Sequence, residues 1–146
     1  MHVRNTSLRK TREKYLKIIA EQNGIEGGIS DANDAKRGKL RSLWETANYA
    51  AMMEDMDTSI GLVLDKLKAA GLDENTYVIF SSDNGGGNQN PPLQGGKAKM
   101  WEGGLRVPMI VAGPGIAPNS QCDRPVAQWD YLTTLHDLVG SEVPLP

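Results

Sequence analysis

Apolar residues recur along the chain with two different spacings, which predict an alternation of helices and short strands. From about residue 42 to residue 70 they are three and four positions apart, as on one face of an α-helix. These residues are Tyr49, Met53, Met56, Ile60, Leu64 and Leu67. The stripe predicts a long helix that covers one side of a sheet, with a capping box of Ser42 and Glu45 at its start. Apolar spacing predicts further helices over residues 8–22 and 130–139. Asn-Gly follows the first of them and Gly the second, and both are stop signals.

Two short apolar runs are typical of buried strands. Residues 76–81 are β-branched and aromatic, and residues 107–112 form a second run, in which Pro108 can stand only at the start or on an edge strand. The order helix, helix, strand, loop, strand, helix is the pattern of an α/β fold. The loop from residue 85 to residue 106 is longer than the roughly 12–15 residues that are usual in a compact domain. We therefore expect this loop to be functional.

The composition excludes several classes of protein. A chain of 146 residues is expected to form one domain, and a net charge of −2 gives no basic surface for nucleic acid. No apolar run approaches the roughly 20 residues of a membrane span. Cys122 is the single cysteine, so neither an internal disulfide nor a Cys/His zinc site is expected. The first residues lack the apolar segment of a signal peptide, and the sequence leaves the cellular compartment open.

Side chains that suit a metal and an anion follow the first predicted strand. Asp83 and Asn84 come directly after it, and a glycine-rich loop with Lys97 follows them. Ligands gather at the carboxyl ends of strands in open α/β sheets. Carboxylate and amide oxygens suit a hard cation, and a lysine suits an anion. Asn-Gly is also a favoured turn pair, but the position at a strand end favours a site for a sulfate or phosphate ester.

Several segments together resemble the sulfatase family, over roughly residues 42–140. They are residues 49–61, 71–86, 96–108 and 130–135. The resemblance implies that residues 1–146 are part of a sulfatase catalytic domain. The expected fold is then a partial alkaline-phosphatase-like sheet flanked by helices and truncated at its N-terminal side. It also implies hydrolysis of sulfate esters, typically with bound calcium and a formylglycine nucleophile made from Cys or Ser in Cys/Ser-x-Pro-x-Arg.

The resemblance also implies roles for individual residues. Asp83 and Asn84 match two calcium ligands of the family. Lys97 matches the lysine that contacts the sulfate, because it begins the pattern Lys-x-x-x-x-Glu-Gly-Gly. Lys99 is a second candidate for contact with the substrate. His2 matches a histidine that binds sulfate or assists the leaving group.

Arg106 could bind an anion through two hydrogen bonds, but we expect a structural pairing with Glu102 or with a nearby carbonyl oxygen.

Two parts of the sulfatase pattern are absent from these 146 residues. The motif Cys/Ser-x-Pro-x-Arg does not occur, because Cys122 stands in Cys-Asp-Arg-Pro, and no Asp-Asp pair lies near the start. We therefore expect a missing N-terminal half to supply the nucleophile and the other calcium ligands, and the chain alone to be inactive. Two alternatives stay open. A phosphoryl or phosphonate hydrolase of the same superfamily is disfavoured because no histidine lies between residues 3 and 135; the other is a non-catalytic remnant or binding domain.

Overall fold

The computed structural model describes residues 7–30, 38–87 and 89–145, and the chain divides into two compact units. The first unit, Met1–Tyr77, contains helices α1 (Arg9–Gln22) and α2 (Gly38–Ala69) and a 3₁₀ turn, Asp73–Asn75. The second unit, Val78–Pro146, contains β1 (Val78–Ser81), the one-turn helix α3 (Glu102–Leu105), β2 (Met109–Ala112) and α4 (Asp130–Leu138). The α/β pattern is thus confirmed as helices with a small sheet. None of the helices described here is long and apolar enough to cross a membrane.

The core of the first unit lies between α1 and α2. Leu16, Ile19 and Ala20 of α1 pack with Ala47 of α2, which is completely buried. Ala51, one turn further along α2, is also completely buried. Residues four positions apart lie on the same side of a helix, so these small side chains form the stripe that faces α1.

Polar contacts fix the rim of this helix pair. Lys14 Nζ lies 2.6 Å from Glu54 Oε2, and Thr11 Oγ1 donates to Asp55 Oδ1 at 2.6 Å. The hydrogen bond with Glu54 raises the pKa of Lys14 above its ordinary value of 10.5. The hydrogen bond from Lys14, followed by one from Tyr15, lowers the pKa of Glu54 below its ordinary value of 4.5.

Two sequence predictions about α2 are wrong. Its stripe of large apolar residues is not a buried face: Tyr49 is 62% exposed, and Met53 and Met56 are each 41% exposed. The small-residue stripe, on the other side of the helix, is the one that is buried. The capping box is also wrong, because α2 already includes Gly38, and Ser42 and Glu45 lie inside the helix.

The sheet of the second unit is a pair of antiparallel strands. Val78 pairs with Ala112 and Ser81 pairs with Met109, so the end of β1 lies beside the start of β2. Pro108 immediately precedes β2, as predicted, since a proline cannot donate a hydrogen bond to the neighbouring strand. The segment before α4 reaches the same end of the sheet, where Gln128 Nε2 donates to the carbonyl oxygen of Ser82 at 2.8 Å.

Candidate active site

The turn after β1 presents two oxygen-bearing side chains in succession. Asp83 is exposed and Asn84 is half-buried. Ser82 Oγ donates to the carbonyl oxygen of Asn84 at 3.0 Å, and Ser81 Oγ donates to that of Pro108 at 3.1 Å. These bonds fix the backbone of the turn and leave the Asp83 carboxylate and the Asn84 amide without a side-chain partner among the described residues.

Backbone hydrogen bonds join this turn to the loop that carries Lys97. The N–H of Gly85 donates to the carbonyl oxygen of Gly104 at 2.9 Å. The N–H of Lys97 donates to the carbonyl oxygen of Gly87 at 3.0 Å. The predicted metal ligands and the predicted sulfate-binding lysine therefore lie on two segments that are bonded to each other.

Three glycines permit the close approach of these segments. A Cβ on Gly85 would lie 1.9 Å from the carbonyl oxygen of Gly103. A Cβ on Gly103 would lie 2.3 Å from the carbonyl oxygen of Gly95, and one on Gly104 would lie 2.1 Å from that of Lys99. Side chains at these positions would overlap with backbone atoms, so glycine is required here because of space. Gly85, Gly103 and Gly104 are all buried.

The two candidate lysines stand on either side of a tight turn. The N–H of Lys99 donates to the carbonyl oxygen of Gly96 at 3.0 Å. Ala98, between the lysines, has a φ of 65°, in the left-handed region that non-glycine residues rarely adopt. Strained residues of this kind are found preferentially at binding and catalytic sites. Both lysines are exposed, and Lys99 also lines a shallow cavity of about 490 Å³ with Trp101.

Arg106 pairs with Glu102, as expected. The side-chain Nε of Arg106 lies 3.7 Å from Glu102 Oε2, and the backbone N–H of Arg106 donates to the carbonyl oxygen of Glu102 at 2.8 Å. These contacts join the two ends of the one-turn helix α3. Glu102 is therefore the partner of the Arg106 side chain, and no bound anion is needed to explain its position.

The donor set suits part of a calcium site. Carboxylate and amide oxygens are calcium ligands, but six to eight oxygens are usual, and Asp83 and Asn84 provide only some of them. The described residues contain no group of three or more His, Cys, Asp or Glu side chains that could hold a metal ion. His2 lies outside the described residues, so its predicted role stays a prediction.

Sequence reasoning missed Asn90, which bonds to two other parts of the loop. Asn90 Nδ2 donates to the carbonyl oxygen of Gly103 at 2.9 Å. Its backbone N–H donates to the carbonyl oxygen of Gly95 at 3.0 Å. An asparagine before two prolines carries no signal of this role in the sequence. The glycine pairs around it were a signal, because adjacent glycines are used where two backbones touch.

Comparison with known proteins identifies the class. The family model described as Sulfatase matches residues 10–141, and the chain belongs to the sulfatase family.

The chain is similar to particular sulfatases over part of their length. It is 42% identical over 113 residues to a sulfatase of Formosa agariphila, covering 68% of this chain and 20% of that protein. It is 38% identical over 109 residues to the steryl-sulfatase of Rattus norvegicus, covering 66% of this chain and 19% of that protein. The chain thus spans about a fifth of the length of these curated relatives.

A solved structure shares the fold. The crystal structure of Ps i-CgsB in complex with k-i-k-neocarrahexaose superposes with a TM-score of 0.73 at 26% identity, covering 98% of this chain and 28% of the other. The small sheet and its helices are therefore consistent with part of a larger domain.

Proposed function

We propose that this chain forms part of a calcium-dependent active site that hydrolyses sulfate esters to an alcohol and sulfate. The observation that carries the proposal is the pair of backbone bonds, Gly85 to Gly104 and Lys97 to Gly87, which tie the Asp83 turn to the Lys97 loop. Membership of the sulfatase family supports the reaction class.

Asp83 and Asn84 are the residues that would hold the calcium ion in this chain. Their side-chain oxygens have no competing partner among the described residues, and the hydrogen bonds of Ser81 and Ser82 hold the backbone beneath them. When bound, calcium would supply positive charge to the sulfate oxygens. The remaining ligands and the formylglycine nucleophile would come from residues outside this chain.

Lys97 is the residue of this chain that we assign to the sulfate group. Its backbone is fixed by the bond to Gly87, while its side chain is exposed and unpaired among the described residues. A fixed cation beside an ester oxygen stabilises the negative charge that develops as the alcohol departs. Lys99, two residues further, would add a weaker contact to the substrate. His2 would bind sulfate or assist the leaving group.

The test is hydrolysis by the whole native polypeptide that carries these residues. Substrates would be an aryl sulfate, a steryl sulfate and k-i-k-neocarrahexaose, with and without added calcium. Lys97→Ala is expected to lower kcat/KM by about 10²–10³, the effect of removing one charge-stabilising group, and Lys99→Ala by less than about tenfold.

Calcium binding is tested by a matched pair of carboxylate variants. Asp83→Asn is expected to raise the calcium concentration for half-maximal activity at least about tenfold, because it removes a charged ligand. Asp57→Asn makes the same change at an exposed position of α2 and should have no effect. Failure of the native polypeptide to hydrolyse any sulfate ester would contradict the proposal and favour a non-catalytic remnant. Hydrolysis of phosphate or phosphonate esters instead would favour the other superfamily reaction.

A further inference from the structure

Asn90 uses its side-chain NH₂ group and both of its backbone polar groups to hold the loop between β1 and β2. Its side-chain Nδ2 donates to Gly103 at 2.9 Å, and its N–H donates to Gly95 at 3.0 Å. Its carbonyl oxygen accepts the N–H of Leu93 at 2.8 Å. The side chain is half-buried, and its Oδ1 lies 3.8 Å from the position that a Cβ on Gly86 would occupy. Asn90 therefore lies between the turn after β1 and the start of α3.

The side chain of Asn90 bonds to Gly103, next to the residue that holds the turn after β1. It holds the carbonyl of Gly103, and the next carbonyl, that of Gly104, accepts the N–H of Gly85 at 2.9 Å. The N–H of Gly103 in turn donates to the carbonyl oxygen of Gln94 at 2.8 Å, three residues before Lys97. The Asn90 amide thus bonds to Gly103, the residue that also bonds to Gln94 before Lys97 and that directly precedes the acceptor of the Gly85 N–H.

We propose that Asn90 is a positioning residue that holds Lys97 in register with the Asp83–Asn84 turn. This inference rests on the proposed function, because Lys97 acts on the sulfate in that function. Asn90 itself makes no contact with the substrate in the proposal. Its amide is required because the acceptor is a carbonyl oxygen, and an aspartate of the same shape has no proton to donate at neutral pH.

The first test replaces Asn90 by aspartate in the whole native polypeptide. Asn90→Asp keeps the shape of the side chain, removes the donor and places a carboxylate against a carbonyl oxygen. It is expected to lower kcat/KM for a sulfate ester by about 10-fold to 100-fold, as the loss of supporting residues around a site does. The matched control is Asn119→Asp, the same change at an exposed loop position of the same unit, which should leave kcat/KM within about twofold.

A second measurement reports on the loop without any substrate. Amide hydrogen exchange of residues 94–104 should become at least about fivefold faster in Asn90→Asp, because a lost hydrogen bond of about 1 kcal/mol permits more frequent opening. The control variant should leave this exchange unchanged.

A double variant separates positioning from general stability. If Asn90 acts through Lys97, adding Asn90→Asp to Lys97→Ala should lower kcat/KM by less than about twofold further, because residues that act together are not additive. A full 10-fold to 100-fold further loss in the double variant would overturn the inference. So would unchanged kcat/KM in Asn90→Asp.

The outcomes also separate this inference from the proposed function. A native polypeptide with no activity on any sulfate ester would overturn both the inference and the proposed function. Faster amide exchange in Asn90→Asp would then show only that Asn90 stabilises the loop. An active polypeptide that is indifferent to Asn90→Asp would overturn the inference and leave the proposed function standing.

Discussion

Replacing Gly85 by alanine tests whether direct backbone contact holds the turn after β1 against the Lys97 loop. The added Cβ would lie 1.9 Å from the Gly103 carbonyl oxygen and 2.9 Å from the Gly104 Cα. Both are backbone atoms, so no side chain can rotate away to make room. The two segments would have to separate until the first distance exceeds 3.0 Å, the shortest that real Cβ atoms show.

The size of the effect follows from two losses. Overpacking in a tightly packed site costs about 1–3 kcal/mol. Separation of the segments also breaks the 2.9 Å bond from the Gly85 N–H to Gly104, and a buried donor without a partner costs about 1–3 kcal/mol. We therefore expect Gly85→Ala to lower the free energy of unfolding by about 2–6 kcal/mol, or to open the loop locally at a similar cost.

The neighbouring residue provides the control. A Cβ on Gly86 would meet nothing nearer than Asn90 Oδ1 at 3.8 Å, which is an ordinary contact. Urea unfolding and amide exchange of residues 82–106 would be measured for both variants in the whole native polypeptide. Gly86→Ala should differ from the unsubstituted protein by less than about 1 kcal/mol. Equal effects of the two variants would refute the close contact between Gly85 and Gly103.

Two further predictions concern α2 in the first unit. Gly61→Ala should raise the free energy of unfolding by about 0.5–1 kcal/mol in urea titrations, because Gly61 lies inside the helix and its Cβ would meet nothing within 4 Å; a decrease would show that another segment approaches Gly61. The Lys14–Glu54 hydrogen bond lowers the pKa of Glu54, so its stabilising contribution should be present above pH 4.5 and be lost as the pH falls through the lower folded value. Glu54→Gln should therefore flatten the acid limb of a plot of stability against pH, and an unchanged acid limb would contradict this.

The positions of the helices and strands could be predicted because their signals are local. The helix expected over residues 8–22 is observed as Arg9–Gln22, and the strand expected over residues 76–81 is observed as Val78–Ser81. Hydrophobic spacing, stop signals and β-branched runs act within a few residues, and no distant contact overrides them here. The same holds for Pro108, whose missing N–H keeps it out of the strand pairing, directly before β2.

The buried face of α2 could not be predicted in this way. The spacing of residues shows which of them share a face of a helix. Which face is buried depends on where another element packs, and the spacing does not show that. Helix α1 packs on Ala47 and Ala51, while Tyr49, two positions away and hence on the other side, remains 62% exposed. The rule that larger apolar residues are buried failed because α1 covers the side of α2 that carries Ala47, and the larger apolar side chains lie on the other side.

The interior of the long loop lies beyond sequence reasoning for a different reason. Residues far apart along the chain meet there through backbone atoms, as Gly85 does with Gly104, and backbone atoms are the same in every residue. Sequence can signal such a contact only through glycine, whose missing side chain permits the approach. Asp83, Asn84 and Lys97 could be proposed from their chemistry, whereas their joining depends on glycines and on one asparagine amide. Substitutions of Gly85 and Asn90 should therefore impair the site although neither residue contacts the proposed substrate.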